Sequence, residues 1–166
     1  SLGYNELYLN GQKVGRDVLA PQVTLMDRYV LYTTHDVSAL LTEGTNCLGL
    51  WLADGYVGQF FSKSRPHGIV QLEIECRNGQ RVTIVSDDTW KTHPSHIGHI
   101  GGWQAANFGG ERFDCGRELP DWNKAAFDDA DWKPVLAKAE AGPVLRAQTI
   151  PPTAVVGEIA PQGIKP

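Results

Sequence analysis

Apolar and polar residues alternate through Tyr4-Asn5-Glu6-Leu7-Tyr8-Leu9, the period of a strand with one buried face. Asn10-Gly11 comes next. Both residues tolerate the positive φ of a tight hairpin turn, so Gln12 to Val14 is expected to return as the partner strand. "RYVLYTT", residues 28–34, is β-branched and aromatic and reads as another strand. In "HDVSALLTEGTN", Asp36 can cap one helical turn that runs to Leu41 and stops at Gly44. "CLGLWLADG" is a continuous apolar run closed by Asp54-Gly55, the pattern of a strand covered on both faces. The clearest hairpin runs from Ile69 to Ser86, where "IVQLEIECR" and "QRVTIVS" alternate around Asn78-Gly79. From His93 to Gly110 no periodicity is present, which predicts a long irregular loop. "FDDADWKPV" reads as an acidic turn that feeds Trp132 into a strand. The prolines between Pro143 and Pro166 suit an edge strand or an extended exit.

Short apolar runs cut by Gly, Pro, Asn and Asp, without long helical patterns, predict an all-β fold, a sandwich or a barrel. Residues 1–142 are expected to form a β-sandwich that lacks a first strand. Residues 143–166 are expected to form a closing strand and a linker toward a following domain. At 166 residues and 42% hydrophobic content, the chain has enough apolar material for one core of normal size.

The formal net charge is −4, with scattered Lys and Arg, so no basic stripe points to nucleic acid. No run of 18 apolar residues points to a membrane span. The chain opens directly on a strand-like segment, which predicts an excised piece without a signal peptide. Cys47, Cys76 and Cys115 are odd in number and widely spaced, and Cys47 and Cys76 sit in apolar runs. They read as small packed residues, with a single bridge left open as an alternative.

Six segments occur in order: "GYNELYLNGQKVG", "HDVSALLTEGTNCLGLWLADGY", "SDDTWK", "NFGGERFD", "AAFDDADWKPV" and "QTIPPTAVV". Together they resemble the N-terminal β-sandwich domain of bacterial α-L-rhamnosidases. The resemblance implies a jelly-roll β-sandwich of the galactose-binding type, placed ahead of further β domains and an (α/α)₆ barrel that carries the catalytic carboxylates. It therefore implies a glycoside hydrolase as parent and no catalytic residue in this chain. It also implies a rhamnose-containing glycan and the parent's other domains as partners. Some relatives bind L-rhamnose beside calcium, so carbohydrate binding with calcium as cofactor is the implied role. By analogy with polysaccharide-degrading enzymes, a periplasmic or secreted parent is expected.

Four residues are the sugar-binding candidates. Asp54 ends the apolar strand on a loop, where a carboxylate suits a sugar hydroxyl pair or a calcium ion. Its bland alternative is an Asx bond closing its own turn. Tyr56 stands where relatives often have Trp. In "WQAANFGGERFD", Asn107 and Glu111 offer an amide and a carboxylate, and Trp103 an aromatic face for a pyranose. The alternative there is that Glu111 and Asp114 close a hydrogen-bond network between strands. The family's "GGExYDAR" departs to Cys115-Gly116 where Ala-Arg is usual. Asp54 and Asn107 are the metal candidates. The His93, His96, His99 series is not fixed on one face and reads as an exposed loop, although imidazoles bind Zn²⁺. His35 and His67 read as isolated surface residues. Asp128, Asp129 and Asp131 lack the Gly and Glu of a calcium loop. Trp51, Trp90, Trp122 and Trp132 are expected in the core.

Overall fold

A computed structural model describes residues 1–55, 57, 66–101, 109–137 and 142–163. Strand β1 (Tyr4–Leu9) turns through Asn10 and Gly11, at φ 53° and 83°, into β2 (Gln12–Lys13). The Asn10 side chain does more than permit this turn. Its Nδ2 donates to the Leu40 carbonyl at 2.9 Å and to Asn46 Oδ1 at 2.7 Å, while its Oδ1 accepts from the Cys47 amide at 2.8 Å. The turn is thereby fastened to the segment leading into β4 (Leu48–Ala53).

Strand β1 lies between β2 and β4, antiparallel to both. The register pairs Asn5 with Leu52, Leu7 with Leu50 and Leu9 with Leu48 on one face. It pairs Tyr4 with Ala53, Glu6 with Trp51 and Tyr8 with Gly49 on the other. The first face is aliphatic and contains Leu9, which is 1% exposed. The second is aromatic and polar. Val14, Ala20, Val30, Val57 and Val70 complete the buried apolar set among the described residues.

Strand β3 (Tyr29–Tyr32) pairs in parallel with a late strand, Val144–Ala147. Strands β5 (Gln71–Glu75) and β6 (Arg81–Val85) form the hairpin around Asn78-Gly79, with Gly79 at φ 82°. Leu72 faces Ile84, and Ile74 faces Val82, as the alternation requires. Strand β7 (Lys91–Thr92) pairs with β10 (Lys133–Pro134), which follows the acidic turn. β8 (Ile97–Ile100) pairs with β9 (Gly110–Phe113), so the late strand is β11.

Two sequence expectations change. The stretch from His93 to Gly110 is not irregular throughout, because β8 and the start of β9 lie in it. Gly98 and Gly110 break the alternation that would have marked them. The helical turn shrinks to a 3₁₀ turn, Ser38–Leu40, and Asp36 acts just ahead of it. Its carboxylate accepts from the Ser38 amide at 2.9 Å and the Ser38 hydroxyl at 2.6 Å. Beyond these two 3₁₀ turns, Ser38–Leu40 and Cys115–Arg117, almost all regular structure is β. The accessible surface is 12978 Å². A compact chain of 18.2 kDa exposes about 8,100 Å² on the usual size scaling, so this chain exposes well more than that scaling gives.

Candidate functional site

Side chains from three strands and two loops converge over the aromatic face of the central sheet. Gly49 is where they come closest, because it leaves room for a ring. A Cβ there would lie 2.7 Å from Trp122 Cζ3. Trp122 meets Tyr8 edge-on at 5.6 Å and Trp51 edge-on at 6.3 Å, and stacks on Trp132 at 6.3 Å. Phe127 abuts Trp132 at 5.7 Å, and the His93 imidazole stacks on its ring at 5.5 Å. His96 sits 5.4 Å from Trp51 and 4.6 Å from Phe113. The rings are half-buried except His93 and Phe113, which are exposed. Each edge-to-face or stacked pair adds roughly 0.5–1.5 kcal/mol beyond the area it covers.

The polar rim of this cluster is Glu6, Tyr8 and Lys13. Tyr8 donates its hydroxyl to Glu6 at 2.6 Å, and Lys13 makes an ion pair with the same carboxylate. Partial burial opposes ionisation of Glu6. The hydrogen bonds from Lys13 and Tyr8, with the lysine charge, outweigh it and hold the carboxyl below its ordinary value. Burial, and then the bond to Glu6, push the Tyr8 phenol up to about 12. Two exposed carboxyls are also held low, Asp36 by the Ser38 hydroxyl and Asp87 by the Thr89 hydroxyl. A glycosidase general acid needs the opposite displacement.

Of the four sugar-binding candidates, Asp54 and Glu111 lie among the described residues. Asp54 is exposed at the end of β4, and its carbonyl accepts from the Val57 amide at 2.9 Å. Glu111 is exposed on β9, opposite His99. No hydrogen bond or ion pair joins the two carboxylates among the described residues. Trp103, Asn107 and Tyr56 lie outside the described residues. Asp114 does not bond to Glu111. Its carboxylate accepts from the Gly116 amide at 3.1 Å, and Arg112 Nη2 approaches it at 4.0 Å.

Calcium needs six to eight oxygens. Asp54 contributes one carboxylate, and among the described residues no three His, Cys, Asp or Glu side chains gather where a metal could sit. His93 and His96 are occupied by aromatic neighbours, so the histidine series does not converge. His35 and His67 are half-buried rather than surface residues, and His67 Nδ1 finds no partner among the described residues. The acidic turn is structural: Asp128 accepts from the Ala130 amide at 3.0 Å, and Asp129 pairs with Lys91 at 2.7 Å. The three cysteines are free.

The sequence treats the tryptophans singly and misses their meeting. A signal exists in hindsight, since Tyr8, Gly49 and Trp51 share one face once β1 and β4 are in register.

Comparison with known proteins matches residues 1–157 to the alpha-L-rhamnosidase N-terminal domain. An alpha-L-rhamnosidase of Formosa agariphila is 32% identical over 98% of this chain and 18% of its own length. The solved alpha-L-rhamnosidase from Dictyoglumus thermophilum superposes with a TM-score of 0.81 at 33% identity, over 91% of this chain and 16% of that one. The Streptomyces avermitilis alpha-L-rhamnosidase, solved in complex with L-rhamnose, gives 0.78 at 30% identity, over 94% and 16%. The chain thus spans less than a fifth of these relatives. The match spans all eleven strands, β1 to β11, and on that ground the chain belongs to the alpha-L-rhamnosidase N-terminal domain family.

Proposed function

We propose that this chain is a non-catalytic accessory domain of an α-L-rhamnosidase-type glycoside hydrolase, and that it holds L-rhamnose or a related sugar at its loop ends. The observation that carries the non-catalytic reading is the match itself, which falls on an N-terminal domain and on less than a fifth of the relatives' length; the state of the carboxyls agrees with it. Retaining and inverting glycosidases need two of them facing across a cleft, one with its pKa raised. The described carboxyls with displaced values, Glu6, Asp36 and Asp87, are all lowered.

For the sugar, Asp54 and Glu111 are exposed and free to meet hydroxyls, with Asn107 and Trp103 completing the set. Asp54 and Asn107 are the side chains that would hold calcium. The relative solved with L-rhamnose supports this ligand class. Affinity is modest under this reading, because a monosaccharide covers little area and each polar contact replaces one with water.

A second reading, a spacer that packs on neighbouring domains of a parent enzyme, is favoured by the excess accessible surface. Calorimetric titration with L-rhamnose, with and without calcium, separates the two. Saturable heat that disappears in Asp54→Ala or Asn107→Ala supports sugar binding. Silence at millimolar sugar leaves the spacer. Turnover of an aryl rhamnoside by this chain alone would overthrow the non-catalytic reading.

A further inference from the structure

We infer that β11, its partner β3 and the apolar strap that follows, residues 148–159, form the seat of the next domain of the same polypeptide. The inference rests on the accessory-domain reading and names the surface through which such a domain is held. Four observations converge on it.

The first is the exposure of a paired strand. All four residues of β11 are exposed, including Val144 at 61% and Leu145 at 50%. The second is clustering. Sixteen large apolar side chains are exposed among the described residues, and ten of them fall within 19–32 and 144–159. These two segments are knitted together. The Val18 amide donates to the Thr153 carbonyl at 2.9 Å, Asp17 bridges Ala154, and Gln22 Nε2 donates to Thr153 Oγ1 at 2.8 Å.

The third is the degree of exposure. Val156 and Ile159 are essentially fully exposed, at 101% and 97%. With the other eight they make ten exposed apolar side chains, and those of β11 lie on both its faces because Val144 and Leu145 alternate. The fourth is position. The family match ends at residue 157, inside this surface, and the relatives continue for more than four fifths of their length outside the matched part. Arg146, the one charge in β11, lies over the Tyr29 ring at 4.8 Å, while Asp27, Arg28 and Glu158 stand exposed beside the apolar residues. The occupant that fits is therefore an apolar face with a polar rim.

The test compares this chain with a longer stretch of its parent polypeptide that includes the next domain, using hydrogen exchange and thermal unfolding. Amides 144–159 are expected to exchange about tenfold or more slowly in the longer protein. Val156→Asp with Ile159→Asp should leave the midpoint of the short chain unchanged, since both side chains stand in solvent, and should lower that of the longer protein. Equal exchange in the two proteins, or a longer protein indifferent to both substitutions, overturns the inference. So does a concentration-dependent dimer of the short chain that the substitutions dissolve, because the occupant is then a second copy. Activity of the longer protein on an aryl rhamnoside is read separately. Inactivity with protection intact counts against the hydrolase reading and still supports the docking face.

Discussion

Replacing Gly49 with Ala tests whether the tryptophan cluster is seated as described. Gly49 is not in the left-handed region, so alanine meets no backbone strain there. In open space the change would stabilise the protein by about 0.4–1 kcal/mol, because the unfolded chain loses freedom. The new methyl instead lands 2.7 Å from Trp122 Cζ3 and 3.0 Å from Cη2. Gly49 cannot retreat, since β4 is registered against Tyr8. Trp122 cannot slide away without disturbing Tyr8, Trp51 and Trp132. Overpacking of this kind costs about 1–3 kcal/mol. A net loss of about 1.3 kcal/mol lowers the unfolding midpoint by roughly 3–5 °C in a chain of this size. Urea titration followed by tryptophan fluorescence reads the sign directly. The double variant with Trp122→Ala should show less than the sum of the two losses, because the clash has gone. A Gly49→Ala protein as stable as the original, or more so, would refute the packing.

Two further outcomes follow from the β1–β2 region. Asn10→Ala deletes three hydrogen bonds and forces alanine to φ 53°, so it should cost about 2–3 kcal/mol in urea unfolding. Asn10→Gly, which relieves the backbone, should cost less. Glu6 is held low in the folded protein, so its contribution is present above the unfolded value and is lost as pH falls through the folded one. Its carboxylate is partly solvated and the effect is small. Lys13→Met should therefore flatten the loss of stability from about pH 6 to about pH 3, measured by chemical unfolding at each pH. At the alkaline end, the Tyr8 contribution is full below about pH 10 and fades as pH rises through about 12.

Much of the fold was legible because its signals are local. Alternation places β1, β5 and β6, and Asn-Gly pairs at 10–11 and 78–79 place their turns, since strand period and turn φ are properties of adjacent residues. The order of six motifs was enough to indicate the family. What the residues could not announce is pairing between distant segments. β8 and β9 are obscured by glycine, and only their partners make them strands. The parallel union of β3 with β11 joins residues more than a hundred positions apart, a contact set by loop closure and covering surface rather than by either sequence. The same reason hides the neighbours of the site candidates. A carboxylate's type and its place at a strand end are written in the chain, whereas its neighbours are decided by register. Register sent Trp51 and Tyr8 to one face with Trp122 over Gly49, turned His93 and His96 into packing residues, and left Asp54 and Glu111 facing solvent without a bond between them.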